Sequence, residues 1–185
     1  MAEQVPRGFR DAERSAPAGV RGGQYLATPD GDECVVFLVG MRINRWRRVR
    51  SWWGPFTAMP RMLAQLQAHP EAGLLGARSF WSGRVLMVIQ YWRSAEHLGA
   101  YARDSGLAHQ PAWAAFNSAG AGSGDVGLFH ETYVVPAQGV ESLYANMPAF
   151  GLGLAHSSVP RRPRARTRAQ ERMGQRDPEF VDPAP

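Results

Sequence analysis

Apolar residues gather in four short runs. Cys34–Ile43 (CVVFLVGMRI) is almost continuously apolar, and Val85–Trp92 (VLMVIQYW) repeats that character. Leu74–Trp81 and Val126–Val135 (VGLFHETYVV) complete the set, and all four read as strands. Ser82-Gly83-Arg84 separates the second from the third by a turn's length, which predicts a hairpin. Between the first two runs Phe56, Met59, Leu63 and Leu66 recur at helical spacing. They predict a helix over about Pro55–Gln67, with Pro55 in its first turn. Pro60 falls inside the pattern and either splits this helix or opens its main part. After the third run, Ser94 predicts an N-cap, with Glu96 in the positive first turn. That helix breaks at Ser105-Gly106, and a second helical piece closes on Trp113 and Phe116. Val140–Ala145 reads as one more helical turn.

The predicted order is β-α-β-β-α-β. Right-handed crossovers then place both helices on one face of a four-stranded antiparallel sheet, an α+β, ferredoxin-like architecture. The other face is apolar too: Val36 and Leu38 alternate with Val35, Phe37, Val39 and Met41. A sheet that is greasy on both sides needs a second cover, and the economical one is another copy of the chain. The barrel domain is expected over 33–156. Residues 1–32 and 157–185, rich in Gly, Pro, Arg or Ala with little periodicity, are expected to be disordered tails.

Composition narrows the function. The 185 residues, 44% of them hydrophobic and six of them Trp, fit one folded domain. No apolar run approaches the roughly 20 residues of a membrane span, and the N-terminus lacks an apolar signal region, which together predict a cytoplasmic protein. All 21 basic residues are Arg. Residues 157–185 hold seven Arg against four acids, whereas the other 156 hold 14 against 12. The near-neutral folded part gives no reason to expect nucleic acid as a partner. Cys34, alone, excludes an internal disulfide and reads as a small buried hydrophobe. No HExxH, P-loop or GxGxxG occurs.

Polar residues inside apolar strands are the first chemical candidates. Arg42 shares strand parity with Val36 and Leu38, and Gln90 shares it with Val88 and Trp92. An Arg there stabilises an oxyanion or snorkels past the sheet edge. In FHETY, alternation puts His130 and Glu131 on opposite faces. Whichever of the two meets a cavity is a candidate base; the alternative is a hydrogen-bonded structural His130, with Glu131 paired to an Arg across the sheet. Trp81, Trp92 and Trp113 fit a core or a cavity wall. The Arg-flanked Trp52-Trp53 fits a lid, an interface or an anionic-lipid contact, and its place between the first strand and the first helix favours a cavity rim.

The words VVFLVGMRIN, FTAMPRML, GLLGARSFWSGR, VIQYWRS, AHQPAW, SGDVGLFHETY and NMPAFGL occur in that order. Over roughly residues 34–155 the chain resembles the dimeric α+β barrel superfamily. Within it, the chain resembles a narrower family typified by the polyketide monooxygenase of fumagillin biosynthesis. The resemblance implies a homodimer with an apolar cavity in each subunit. It implies oxidation of a small aromatic or polyketide-type substrate of secondary metabolism with O₂ and no cofactor. On that reading His130, Arg42, Gln90 and Glu131 are the catalytic candidates. Trp92, Trp113, Tyr133, Tyr144 and Asn146 would contact substrate. The same superfamily contains haem-degrading enzymes and aldoxime dehydratases, so a haem protein with His109 or His130 as axial ligand is the alternative. A non-catalytic ligand-binding protein is the third reading.

Overall fold

The two most apolar runs pair with each other at the centre of a sheet. The computed structural model describes residues 15–104 and 122–161. Its strands there are β1 (Arg21–Ala27), β2 (Glu33–Ile43), β3 (Leu74–Ser82), β4 (Val85–Trp92), β5 (Val126–Pro136), β6 (Tyr144–Met147) and β7 (Ser158–Pro160). Its helices are α1 (Val49–Ala68), α2 (Ala95–Arg103) and the short α3 (Leu152–Ala155). The chain divides into two units, Cys34–Val134 and a second formed by Met1–Glu33 with Val135–Pro185.

In the first unit the strand order is β3-β4-β2-β5. Both β2–β4 and β3–β4 are antiparallel. This is the ferredoxin-like order that β-α-β-β-α-β connectivity produces. The β2–β4 register runs from Val35 opposite Trp92 to Arg42 opposite Val85. Directly opposed residues share a face. Val35, Phe37, Val39 and Met41 therefore lie on one side with Trp92, Gln90, Val88 and Leu86.

That side carries the helices. Val35 and Trp92 pack with Leu66 of α1 and with Leu98 and Tyr101 of α2. Nearer the other end of the strands, Met41, Ile43 and Val126 pack with Trp52 and Phe56 of α1. Each fully buried side chain of this size contributes about 1.5–3 kcal/mol before entropy is charged against it. Burial pushes the Tyr101 hydroxyl up to about 12, so it stays neutral. Cys34 is also buried, and burial raises its thiol pKa, as its reading as a small hydrophobe requires.

Helix α2 begins as its sequence predicts, with Ser94 Oγ accepting from the His97 backbone N–H at 3.3 Å. Helix α1 does not. It starts at Val49 rather than near Pro55, and both Pro55 and Pro60 lie inside it. An interior proline costs about 3 kcal/mol or more, so tertiary packing of its inner face must hold this helix.

The second unit corrects the expected tails. Residues 21–27 form β1, the centre of a three-stranded sheet of order β6-β1-β7. Its inward positions are Gly23, Tyr25 and Ala27, which leaves almost no apolar alternation to read. Its partners lie over a hundred residues away: Tyr25 opposes Tyr144 on one side and Pro160 on the other. The expected helical turn at Val140–Ala145 is absent. A 3₁₀ turn at Ala137–Gly139 and then β6 occupy this stretch. The backbone is held extended there because Ser142 Oγ accepts from Ala27 N–H and donates to the Ala27 carbonyl.

Gly40 marks the tightest point of the central pair. A Cβ there would lie 2.5 Å from the Leu86 carbonyl oxygen and 2.6 Å from the Phe129 ring. Gly40→Ala is expected to lower stability by about 1–3 kcal/mol, read as a drop in denaturation midpoint. An unchanged midpoint would mean that the strands can part at no cost.

Candidate active site

A cavity of about 200 Å³ lies between α1 and the helix-facing side of the sheet. Its floor is Phe37, Val39 and Met41 of β2, Leu86 and Val88 of β4, and Leu128 and His130 of β5. Its roof is Pro55, Ala58, Met59 and Met62. Those four follow the i, i+3, i+4, i+7 stripe of a helix. The space has a local cause. Ala58 is short, and the two prolines interrupt the hydrogen-bond ladder of the helix above the strands. The methionines are flexible and can reshape around an irregular guest.

His130 is the one titratable side chain among the residues lining this cavity. Its ring lies 5.7 Å from the Phe37 ring, tilted by 40°. His130 is exposed and β5 is an edge strand, so solvent reaches the cavity on this side. The other predicted site residues separate from it. Arg42 lies on the opposite face of the sheet, exposed, and donates to the Asn44 side chain. Glu131 and Tyr133 also occupy that opposite face by alternation. The Tyr133 hydroxyl donates to Glu131 at 2.5 Å, which raises the tyrosine's pKa. Gln90 shares the cavity's face but is buried beyond its end, and its Oε1 accepts from Trp92 Nε1 at 2.9 Å. Gln90 therefore satisfies a core tryptophan, and Trp92 is core rather than cavity wall.

Tyr144 and Asn146 belong to the second unit, where they serve its sheet. Tyr144 stacks on Tyr25 with centroids 5.0 Å apart. Asn146, at φ +53°, accepts from the Gly23 N–H. Trp113 and His109 lie outside the described residues. Sequence reasoning missed Pro55, Ala58 and Met62 as cavity residues. Their helical spacing was available, but the late start assigned to α1 hid Pro55's place in the stripe.

Of the two candidate haem ligands, His130 lines this cavity, and His109 lies outside the described residues.

The roof is fixed to the floor by a buried carboxylate. Asp125, just before β5, accepts from Ser51 Oγ at 2.8 Å and from Arg45 Nη1 at 2.7 Å. Its backbone carbonyl accepts from the N–H groups of Asn44 and Arg45. Ser51 lies in the first turn of α1, which has no acid of its own and no side-chain cap. Asp125 therefore supplies by tertiary contact the negative charge that a helix start favours. The Ser51 hydroxyl, and then the Arg45 guanidinium, hold its carboxyl below the usual carboxylate range.

Residues 34–152 match the model of a family described as Monooxygenase af470-like. Monooxygenase af470 of Aspergillus fumigatus is 27% identical over 172 residues, covering 88% of this chain and 58% of its own length. The chain thus spans little more than half of that relative. Two crystal structures of aldoxime dehydratases also superpose. One is 19% identical at a TM-score of 0.60, covering 77% of this chain and 44% of its own. The other, in complex with butyraldoxime, is 18% identical at 0.61, with 77% and 45% covered. At these identities the likeness is one of fold.

Because the Asp125 pKa is depressed on folding, its stabilising effect is complete above the ordinary carboxylate range and is lost as pH falls through the lowered folded value. Asp125→Asn is therefore expected to destabilise the protein at neutral pH, with the gap to wild type closing in strong acid. Chemical denaturation at several pH values reads this. A gap independent of pH would assign the loss to geometry rather than charge.

Proposed function

The chain belongs to the monooxygenase af470-like family, and from that premise we propose that its cavity oxygenates a small aromatic or polyketide-type substrate, with the substrate itself reducing O₂. The observation that carries this reading is the cavity's composition: an apolar chamber with one base, His130.

The chemistry follows from what that chamber offers. An apolar lining accepts both a planar hydrocarbon skeleton and O₂. Among the described residues that line it there is no Arg to act as a cation toward a developing oxyanion. Stabilisation of the substrate anion must then come from its own delocalisation and from the imidazolium left on His130. That restricts the substrate to intrinsically acidic carbon or oxygen acids, such as anthrones, quinols and 1,3-dicarbonyls, whose acidity approaches the working range of a histidine. His130 takes the proton. The carbanion passes an electron to O₂, and the radical pair couples to a peroxide, which recovers the proton. At a CH₂ centre, loss of water from that hydroperoxide leaves a ketone. One oxygen atom enters the product and the other leaves as water, so four electrons move from carbon to O₂ with no outside reductant. The role in secondary metabolism belongs to this same reading.

A second copy belongs to it as well. The sheet face away from the helices presents Leu38, Met87 and Ile89, all only partly buried within the chain, and sheet-to-sheet pairing in a homodimer would cover them.

His130→Asn is expected to reduce the turnover of an anthrone-type substrate by about 10²–10⁴-fold, measured as oxygen uptake. Arg42→Gln, on the far face, should leave the rate nearly unchanged. Full activity in His130→Asn would remove the base from the mechanism. In a separate test, Ile89→Arg is expected to convert a dimer to a monomer in sedimentation velocity, and a monomeric wild type would end the dimer reading.

A further inference from the structure

We propose that a tryptophan–arginine patch around the start of α1 docks this protein on anionic lipid bilayers. Five aromatic rings meet there. Trp46 stacks on Trp81 at 6.3 Å with 6° between planes, and Trp53 stacks on Phe56 at 5.9 Å. Trp52 touches Trp46, Trp53 and Phe56 edge-on. Such a cluster would ordinarily be core. Here its outer members face water: Trp46 is 39% exposed, Trp53 54% and Trp81 54%, with Val49 beside them at 49%. A contiguous apolar patch of this kind marks an interaction surface.

The hydrogen bonding of the indoles and the local charge select the partner. Trp52 donates to the Trp46 carbonyl and Trp81 to the Gly83 carbonyl. The indole N–H groups of Trp46 and Trp53 have no partner among the described residues. An exposed ring with an unused donor suits the headgroup level of a bilayer, where one end of the indole is apolar and the other wet. Around the rings stand Arg47, Arg48 and Arg50, all exposed and without an ion pair among the described residues. Arg45 alone is neutralised, by Asp125. From Cys34 to Pro70 the chain has six Arg and no acid.

These arginines are placed against the interest of the fold. A helix start favours negative charge, yet α1 opens with Arg48 and Arg50 and no acid in its first turn. Their positive field is therefore free to act outward, on phosphate-bearing surfaces. Clusters of basic residues with interfacial aromatics bind anionic leaflets. Contact of this kind is peripheral, since no helix among the described residues is long and apolar enough to cross a membrane. The patch adjoins the cavity: Pro55, which lines it, directly precedes Phe56 of the cluster. A membrane-dissolved apolar molecule would thus have a short route inward. The docking itself does not depend on which reaction the cavity carries.

The test is co-sedimentation of the full chain with vesicles of phosphatidylcholine alone and with about a third phosphatidylserine. Binding is expected only to the anionic vesicles, weakening with salt, with a blue shift of tryptophan fluorescence. Arg47→Gln, Arg48→Gln and Arg50→Gln together should weaken binding by on the order of a hundredfold. Trp53→Ser, at a surface position that a folded chain tolerates, should weaken it and reduce the blue shift. Circular dichroism confirms that each variant is folded. No binding to anionic vesicles overturns the proposal. So does binding that both variants retain in full, which would assign it to the arginines of residues 161–176. Preference for a nucleic acid over vesicles at matched charge would overturn it in favour of a different partner.

Discussion

The pairing of β2 with β4 decides everything else in the first unit. Eight opposed residue pairs, Val35–Trp92 to Arg42–Val85, fix which side chains face the helices. Both strands are apolar on both faces, so hydrophobicity alone barely distinguishes the correct register from a slip of one residue. Such a slip would exchange the two faces entirely. Tight local fits remove the ambiguity. Gly40 leaves room for the Leu86 carbonyl and the Phe129 ring, which a Cβ in its place would meet at 2.5 and 2.6 Å.

With the floor set, the cavity is a property of the roof. Helix α1 would be a poor helix by itself: two interior prolines, an Arg-rich start and no cap. It persists because Leu66 is clamped between Val35 and Trp92 at one end and Trp52 and Phe56 pack onto Met41 and Ile43 at the other. Asp125 ties down its first turn. Held at both ends, the middle is free to carry Pro55, Ala58, Met59 and Met62 over the strands without filling the gap. The weakness of the local sequence and the presence of a chamber have one origin.

The parts of this fold that were legible in the sequence are those whose signal is local. Val85–Trp92 reads as a strand from its apolar run, Ser94 reads as a cap from its own side chain, and the β-α-β-β-α-β order follows from such pieces. What was illegible depends on distant partners. The start of α1 needs Asp125, 74 residues from Ser51. Strand β1 needs β6 and β7, and its Gly, Tyr and Ala inward positions carry no apolar rhythm. The site shows the same division. Alternation along β5 separates His130 from Glu131, and the structure agrees. Alternation also gives Arg42 and Gln90 a parity each, but says nothing about how two strands align, and the register sends them to opposite faces.

Charge is partitioned as sharply as shape. Among the described residues the cavity holds one titratable side chain and no arginine, while the stretch that leads into its roof holds arginines and no acid. The formal excess of the whole chain, +5, does not show this, because most of it lies in residues 157–185. An apolar chamber suits a guest that dissolves poorly in water. A basic, indole-rich rim suits the surface at which such a guest accumulates. The two features need each other physically. The chamber would rarely meet a lipophilic guest in free solution, and the rim would have nothing to deliver without an apolar space behind Pro55. The prolines and small side chains that open the space cost the helix stability, and the arginines at its head add to that cost. Asp125 and the aromatic packing offset both.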